Sequence, residues 1–113
     1  MLSAKILLQF QKIFSEIPEI KQVFLYGSQA RGQTHAHSDI DLALVAPQMS
    51  AAAFARLQYM LTYEMPTLTP IEIARLDGAA PDFIQRIQQK GVVIYANSSQ
   101  KSTYENLMAG GTD

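Results

Sequence analysis

Three acids and one glycine–serine pair carry the chemistry that this sequence could do. Asp39 and Asp41 are the two charged side chains in an otherwise apolar segment that runs to Val45. In a strand, residues two apart point to the same face, so the two carboxylates stand side by side on Cα atoms about 6.6 Å apart. Ile40, Leu42 and Leu44 then turn the other way, into the core. Two carboxylates on one face repel and raise each other's pKa unless a cation sits between them. A hard divalent ion such as Mg2+ takes such oxygen ligands and keeps room for substrate phosphates. Two such ions, roughly 3.5–4 Å apart, clamp the attacking and leaving oxygens of an in-line phosphoryl or nucleotidyl displacement. Glu72, between Ile71 and Ile73, is the best third acid, and an unpaired acid there is costly if buried. It joins Asp39 and Asp41 only if its strand lies beside theirs in the right register.

Gly27 and Ser28 supply the other half. A glycine lets backbone approach a phosphate closely. Ser28 adds a hydroxyl, and its N–H with the next ones can form an anion-binding turn. Arg31 can reach the same phosphates with a forked charge. An isolated Asp-x-Asp reads as surface charge and an isolated Gly-Ser as a turn. The combination is stronger, because both halves fall at strand ends and a further acid lies in a later strand.

The elements that must position these residues are legible in the apolar spacing. Ile6, Leu7, Phe10, Ile13, Phe14 and Ile17 recur at steps of three and four, an amphipathic helix closed by Pro18. Val23 to Tyr26 is a continuous apolar run that reads as a strand buried on both faces. A polar loop is expected from Ser28 to about Ser38, and a second strand from Asp39 to Val45. Ser50 can cap a helix from Ala51 to about Tyr63. Ile71 to Leu76 alternates as a strand does, and Pro81 suits the first turn of a helix that Gly91 ends. Val92 to Tyr95 is a last short strand. This order predicts an α/β (α+β) domain with a small mixed β-sheet packed with helices.

Composition narrows the function. The 113 residues suit one domain, expected over residues 1–96, with a polar and mobile or partner-dependent tail over 97–113. The formal net charge is −1, without the basic excess of a protein that grips nucleic acid by its phosphates. There are no cysteines, which excludes disulfides, thiolate zinc sites and a cysteine nucleophile. Neither a signal peptide nor a membrane-length apolar run is visible, so a cytoplasmic protein is the expectation.

With these residues in view, the sequence resembles the DNA polymerase β-like nucleotidyltransferase superfamily. The resemblance rests on Gly27-Ser28, ten residues, then Asp39-Ile40-Asp41. The longer strings Tyr26-Gly27-Ser28-Gln29-Ala30-Arg31-Gly32 and Ser38-Asp39-Ile40-Asp41-Leu42 resemble its minimal nucleotidyltransferase branch, over about residues 5–96. The resemblance implies the polymerase β-like fold, two Mg2+ ions on Asp39, Asp41 and a third acid, and a triphosphate on Gly27, Ser28 and Arg31. It implies transfer of a nucleoside monophosphate to a hydroxyl, with release of pyrophosphate. In this branch it further implies an antitoxin that moves AMP from ATP to a tyrosine of a partner HEPN-domain toxin, in a hetero-oligomer; the near-neutral charge and the lack of a membrane-length run set the expectation of no direct nucleic acid and no membrane. The third acid is usually Asp, and the aligned residue here is Glu72; Asp77 is the fallback, read instead as a turn residue.

Two alternatives stay open beside the transferase antitoxin: an antitoxin that acts by binding alone, and transfer to a small-molecule hydroxyl. The second would need an acceptor domain for which the chain has no room. His35 and His37 read as solvated loop residues, Tyr59 and Tyr63 as packing residues, and Lys5, Lys12 and Lys21 as a solvated face. Tyr104 in the tail reads as an accessible hydroxyl, with nucleotide acceptance the lesser reading of it.

Overall fold

The computed structural model describes residues 2–30 and 39–97. Arg31, His35, His37, Tyr104 and the tail beyond Asn97 lie outside the described residues, and of Ser28 only the backbone is described. The first helix, α1 (Ala4–Ser15), starts where the Ser3 side chain accepts the Ile6 N–H. It turns Phe10, Ile13 and Phe14 inward, with the first and last rings stacked at 5.8 Å. It stops before Pro18, as a chain without a free proline N–H must.

β1 (Gln22–Tyr26) follows, then a one-turn helix α2 (Gly27–Ala30) where a loop was expected. β2 (Ile40–Val45) begins one residue after the expected start, so Asp39 precedes the strand. α3 (Ala51–Tyr63) has the expected bounds, and the Ser50 hydroxyl accepts the Ala53 N–H at 3.0 Å. β3 (Ile71–Arg75), α4 (Pro81–Lys90) and β4 (Val92–Ala96) complete the chain. Ala80 precedes α4 without a side-chain cap, and Pro81 takes the first turn, where no N–H is needed.

The four strands form one mixed sheet in the order β3-β2-β1-β4. β1 is antiparallel to β2 and β4, and β2 is parallel to β3. This is the expected α+β architecture with a small mixed sheet.

The period-2 alternation of the strands sorts residues onto two faces. One face carries Val23, Leu25, Ile40, Leu42 and Leu44, all buried, and packs on Phe10 and Phe14 of α1 and Leu57 and Leu61 of α3. Each of these large side chains contributes about 1.5–3 kcal/mol by leaving water. On the other face Phe24, Ala43, Leu76 and Ile87 form a smaller cluster under α4. That cluster covers one end of the face and leaves the other end, where β1 finishes and β2 begins, only partly covered, with Tyr26 packed on Phe83 of α4.

One expectation about packing fails. Tyr59 and Tyr63 are 60% and 71% exposed, their rings 4.7 Å apart on the outer side of α3. A step of two residues turns a helix by about 200°, so both point away from the Leu57–Leu61 stripe.

Candidate active site

The register decides which acids meet. Tyr26 pairs with Asp41 across β1 and β2, and Asp41 pairs with Glu72 across β2 and β3. Directly paired residues share a face with Cβ atoms about 4.5–5.5 Å apart. A row of Tyr26, Asp41 and Glu72 therefore crosses three strands on the face that α4 leaves partly open. Asp39 is half-buried just before β2. Glu72, on the edge strand, is exposed, so the burial cost expected of it does not arise.

The electrostatics follow this arrangement. Burial first, then the negative charges of Glu72 and Asp39, push the Asp41 carboxyl above its ordinary value. Burial likewise raises the Tyr26 phenol, with Asp41 and Glu72 adding to it and Arg86 pulling the other way. The negative charges of Glu72 and Asp39 thus converge on Asp41. Among the described residues, no group of three or more His, Asp or Glu side chains stands ready to hold a metal ion. The donor set is nevertheless the kind a hard divalent cation takes: carboxylate oxygens on adjacent strands, with repulsion that a cation would relieve.

Gly27 closes the row against β1. Its φ of 73° lies in the left-handed region, where a side chain is strained. A Cβ there would overlap the Asp41 Oδ2 carboxylate oxygen. The glycine therefore does two jobs: it turns the chain from β1 into α2, and it leaves space for the Asp41 carboxylate against the backbone.

Asp77 does not join the acids. Its Oδ1 accepts the Ala46 N–H at 2.9 Å and its Oδ2 pairs with Arg75 at 3.0 Å, while the Arg75 guanidinium donates to the Ala46 carbonyl at 2.7 Å. It is a turn residue that ties the end of β2 to the end of β3.

Two cavities flank the row. One, of about 410 Å3, opens at the β3 edge beside Tyr26, Glu72, Gln58 and Thr62. The other, of about 260 Å3, lies between Tyr26, Gly27 and the α4 residues Arg86, Ile87 and Lys90. A larger hollow of about 770 Å3 between α1 and β4 is lined by none of the three acids, nor by Tyr26 or Gly27. Sequence reasoning overlooked Tyr26, Arg86 and Lys90 as residues of this region. The available signals were Tyr26 immediately before Gly27, and the four-residue spacing of Arg86 and Lys90 on one helix face.

The sequence matches the polymerase beta nucleotidyltransferase family over residues 9–100. The chain belongs to that family. No curated protein sequence matches it. The nucleotidyltransferase domain is similar in fold to solved antitoxin structures. One is a toxin–antitoxin crystallised with AMP-PNP, at 20% identity and a TM-score of 0.65, covering 96% of this chain and 92% of that one. Another is the MNT antitoxin in complex with the tri-AMPylated HEPN toxin of Shewanella oneidensis, at 19% identity and a TM-score of 0.61, covering 92% and 87%. A third is the toxin–antitoxin MntA–HepT, at 19% identity and a TM-score of 0.60, covering 92% and 88%. Among the described residues, no helix is long and apolar enough to cross a membrane.

Proposed function

We propose that this protein is a Mg2+-dependent nucleotidyltransferase antitoxin that transfers AMP from ATP to a hydroxyl, the phenol of a tyrosine, on a partner HEPN-type toxin and so neutralises it. The observation that carries the reading is the register that sets Asp41 beside Glu72, with Asp39 next to the strand and Gly27 against Asp41. Family membership supports nucleotidyl transfer. The fold likeness to antitoxins, one solved with AMP-PNP and one beside a tri-AMPylated HEPN toxin, supports the nucleotide and the partner.

In this reading Asp39, Asp41 and Glu72 would hold two Mg2+ ions, which when bound supply charge neutralisation at the α-phosphate and at the oxygens entering and leaving it. Gly27 and the α2 backbone receive the triphosphate, joined by Ser28 and Arg31. The acceptor oxygen attacks the α-phosphorus in line, and the bond from the α-phosphorus to the oxygen bridging it to the β-phosphate breaks. Pyrophosphate leaves with that electron pair. The acceptor proton passes to the Glu72 carboxylate, which stands exposed where an acceptor from another protein can approach. The domain's part is position and charge stabilisation, as phosphoryl transfer requires.

Incubating the toxin–antitoxin pair with α-labelled ATP and Mg2+ tests the reading: label on the toxin is expected, and an intact complex that takes up no label refutes it. The glutamate in place of the usual aspartate favours a second reading, an antitoxin acting by binding alone. In that case Asp39→Asn with Asp41→Asn leaves neutralisation intact, and loss of protection in the double variant excludes it.

A further inference from the structure

The cavity between Gly27 and α4 has none of the three acids in its lining, yet Tyr26 and Gly27 tie it to Asp41. It is lined by Tyr26, Gly27, Arg86, Ile87 and Lys90. Arg86 and Lys90 are four residues apart and so lie on one face of α4. Both are exposed, and among the described residues neither is paired with a carboxylate. Arg75 differs, since Asp77 takes its charge at 3.0 Å.

Arg86 is also held in place. Its guanidinium carbon lies 5.4 Å from the centre of the Phe83 ring, and that ring meets Tyr26 edge-on at 5.6 Å. The stack fixes a delocalised cation beside Tyr26, where β1 ends just before Gly27. The result is a short line across the face: acids on β2 and β3, an open backbone turn at Gly27, then two unpaired cations on α4. The charges along this line suit a polyphosphate: carboxylates that would hold a cation for one end, and unpaired positive charge for the other.

We infer that Arg86 and Lys90 bind the β- and γ-phosphates of the nucleotide, the pyrophosphate that leaves. This deepens the proposed nucleotidyl transfer and rests on it. As the bond to the α-phosphorus breaks, negative charge builds on the departing pyrophosphate, and fixed cations there stabilise it. Arg86 presents a planar fork to two phosphate oxygens, and Lys90 a single point charge.

The test is calorimetric titration of the full chain with ATP, inorganic pyrophosphate and AMP, each with Mg2+, alongside AMP transfer to the toxin. Arg86→Gln with Lys90→Gln is expected to weaken ATP and pyrophosphate at least roughly tenfold, since each charge-assisted contact is commonly worth a factor of about ten or more. AMP binding is expected to stay unchanged, because AMP has no β- or γ-phosphate. The exchange Arg86→Lys with Lys90→Arg keeps both charges but moves the fork, and is expected to retain part of the pyrophosphate affinity that the double glutamine variant loses. Wild-type affinity of the double glutamine variant for ATP and pyrophosphate, with the wild type transferring AMP, overturns the inference and leaves the transferase reading standing. Equal weakening of all three ligands also overturns it, since the loss is then structural. A wild-type protein that binds neither ATP nor pyrophosphate and transfers nothing overturns the transferase reading and the inference with it.

Discussion

Replacing Gly27 by alanine tests the geometry of the site with one methyl group. Two separate costs follow from the structure. The φ of 73° disfavours any side chain, by about 1–2 kcal/mol for an L-residue in the left-handed region. The new Cβ also overlaps Asp41 Oδ2, whereas Asp41 Cγ at 3.4 Å and Cβ at 3.6 Å stay in ordinary contact. Only the carboxylate end must move, and pushing it off its rotamer costs about 0.5–1.5 kcal/mol. Together these give about 2–3 kcal/mol, a fall in Tm of roughly 10–20 °C for a domain of this size. In an Asp41→Ala background the overlap is gone, and Gly27→Ala should cost only its backbone strain, leaving a coupling of about 1 kcal/mol in the double-mutant cycle. Displacing the carboxylate by about 1 Å should also lower AMP transfer on the order of a hundredfold. Urea denaturation of the four proteins without Mg2+ gives the cycle, and initial rates of label transfer give the activity. The same stability loss in both backgrounds refutes the overlap, and wild-type transfer by Gly27→Ala refutes the role given to the glycine.

Other expectations follow from the same structure. The raised Asp41 carboxyl makes the native state bind its proton more tightly than the unfolded chain does, so the stability it contributes is present below its ordinary pKa of 3.8 and is lost as pH rises through the higher native value. Asp41→Asn should therefore raise Tm at neutral pH in the absence of Mg2+ but not at pH well below 3.8, and a gain of equal size at both pH values contradicts it. Asp77→Ala should destabilise the fold by about 1–2 kcal/mol, by stranding the Ala46 N–H and freeing Arg75, without changing the rate of AMP transfer per folded molecule. A rate loss beyond the folded fraction would place Asp77 with the catalytic acids after all.

The strands and long helices were legible because each buries a long apolar stripe with its own period. The apolar spacing of Ile6, Leu7, Phe10, Ile13 and Phe14 in α1 spans several turns, and the Ser50 cap marks the start of α3. α2 has only four residues, too few for any period to show, and its place was taken by an expected loop. Tyr59 and Tyr63 have the composition of a packing pair, and only the helical rotation relative to Leu57 sends them outward. Asp41 and Glu72 were visible as acids at strand positions, and Asp39 as an acid at the edge of one. Their meeting depended on register, which is fixed by pairing between strands far apart in sequence. That same register adds Tyr26 to the row, and the packing of α4 brings up Arg86 and Lys90. Neither follows from any one segment, because each is a product of tertiary packing.

The central claim is that the three acids act on the α-phosphate and that the acceptor is a protein hydroxyl. The most direct measurement is to incubate the purified toxin–antitoxin complex with Mg2+ and ATP labelled at either the α- or the γ-phosphate, and to follow both the toxin and the released pyrophosphate. Label is expected on the toxin from α-labelled ATP alone, with pyrophosphate carrying the γ-label, and neither in Asp39→Asn with Asp41→Asn. Label on the toxin from the γ-phosphate, or no label from a complex that binds ATP, would contradict it.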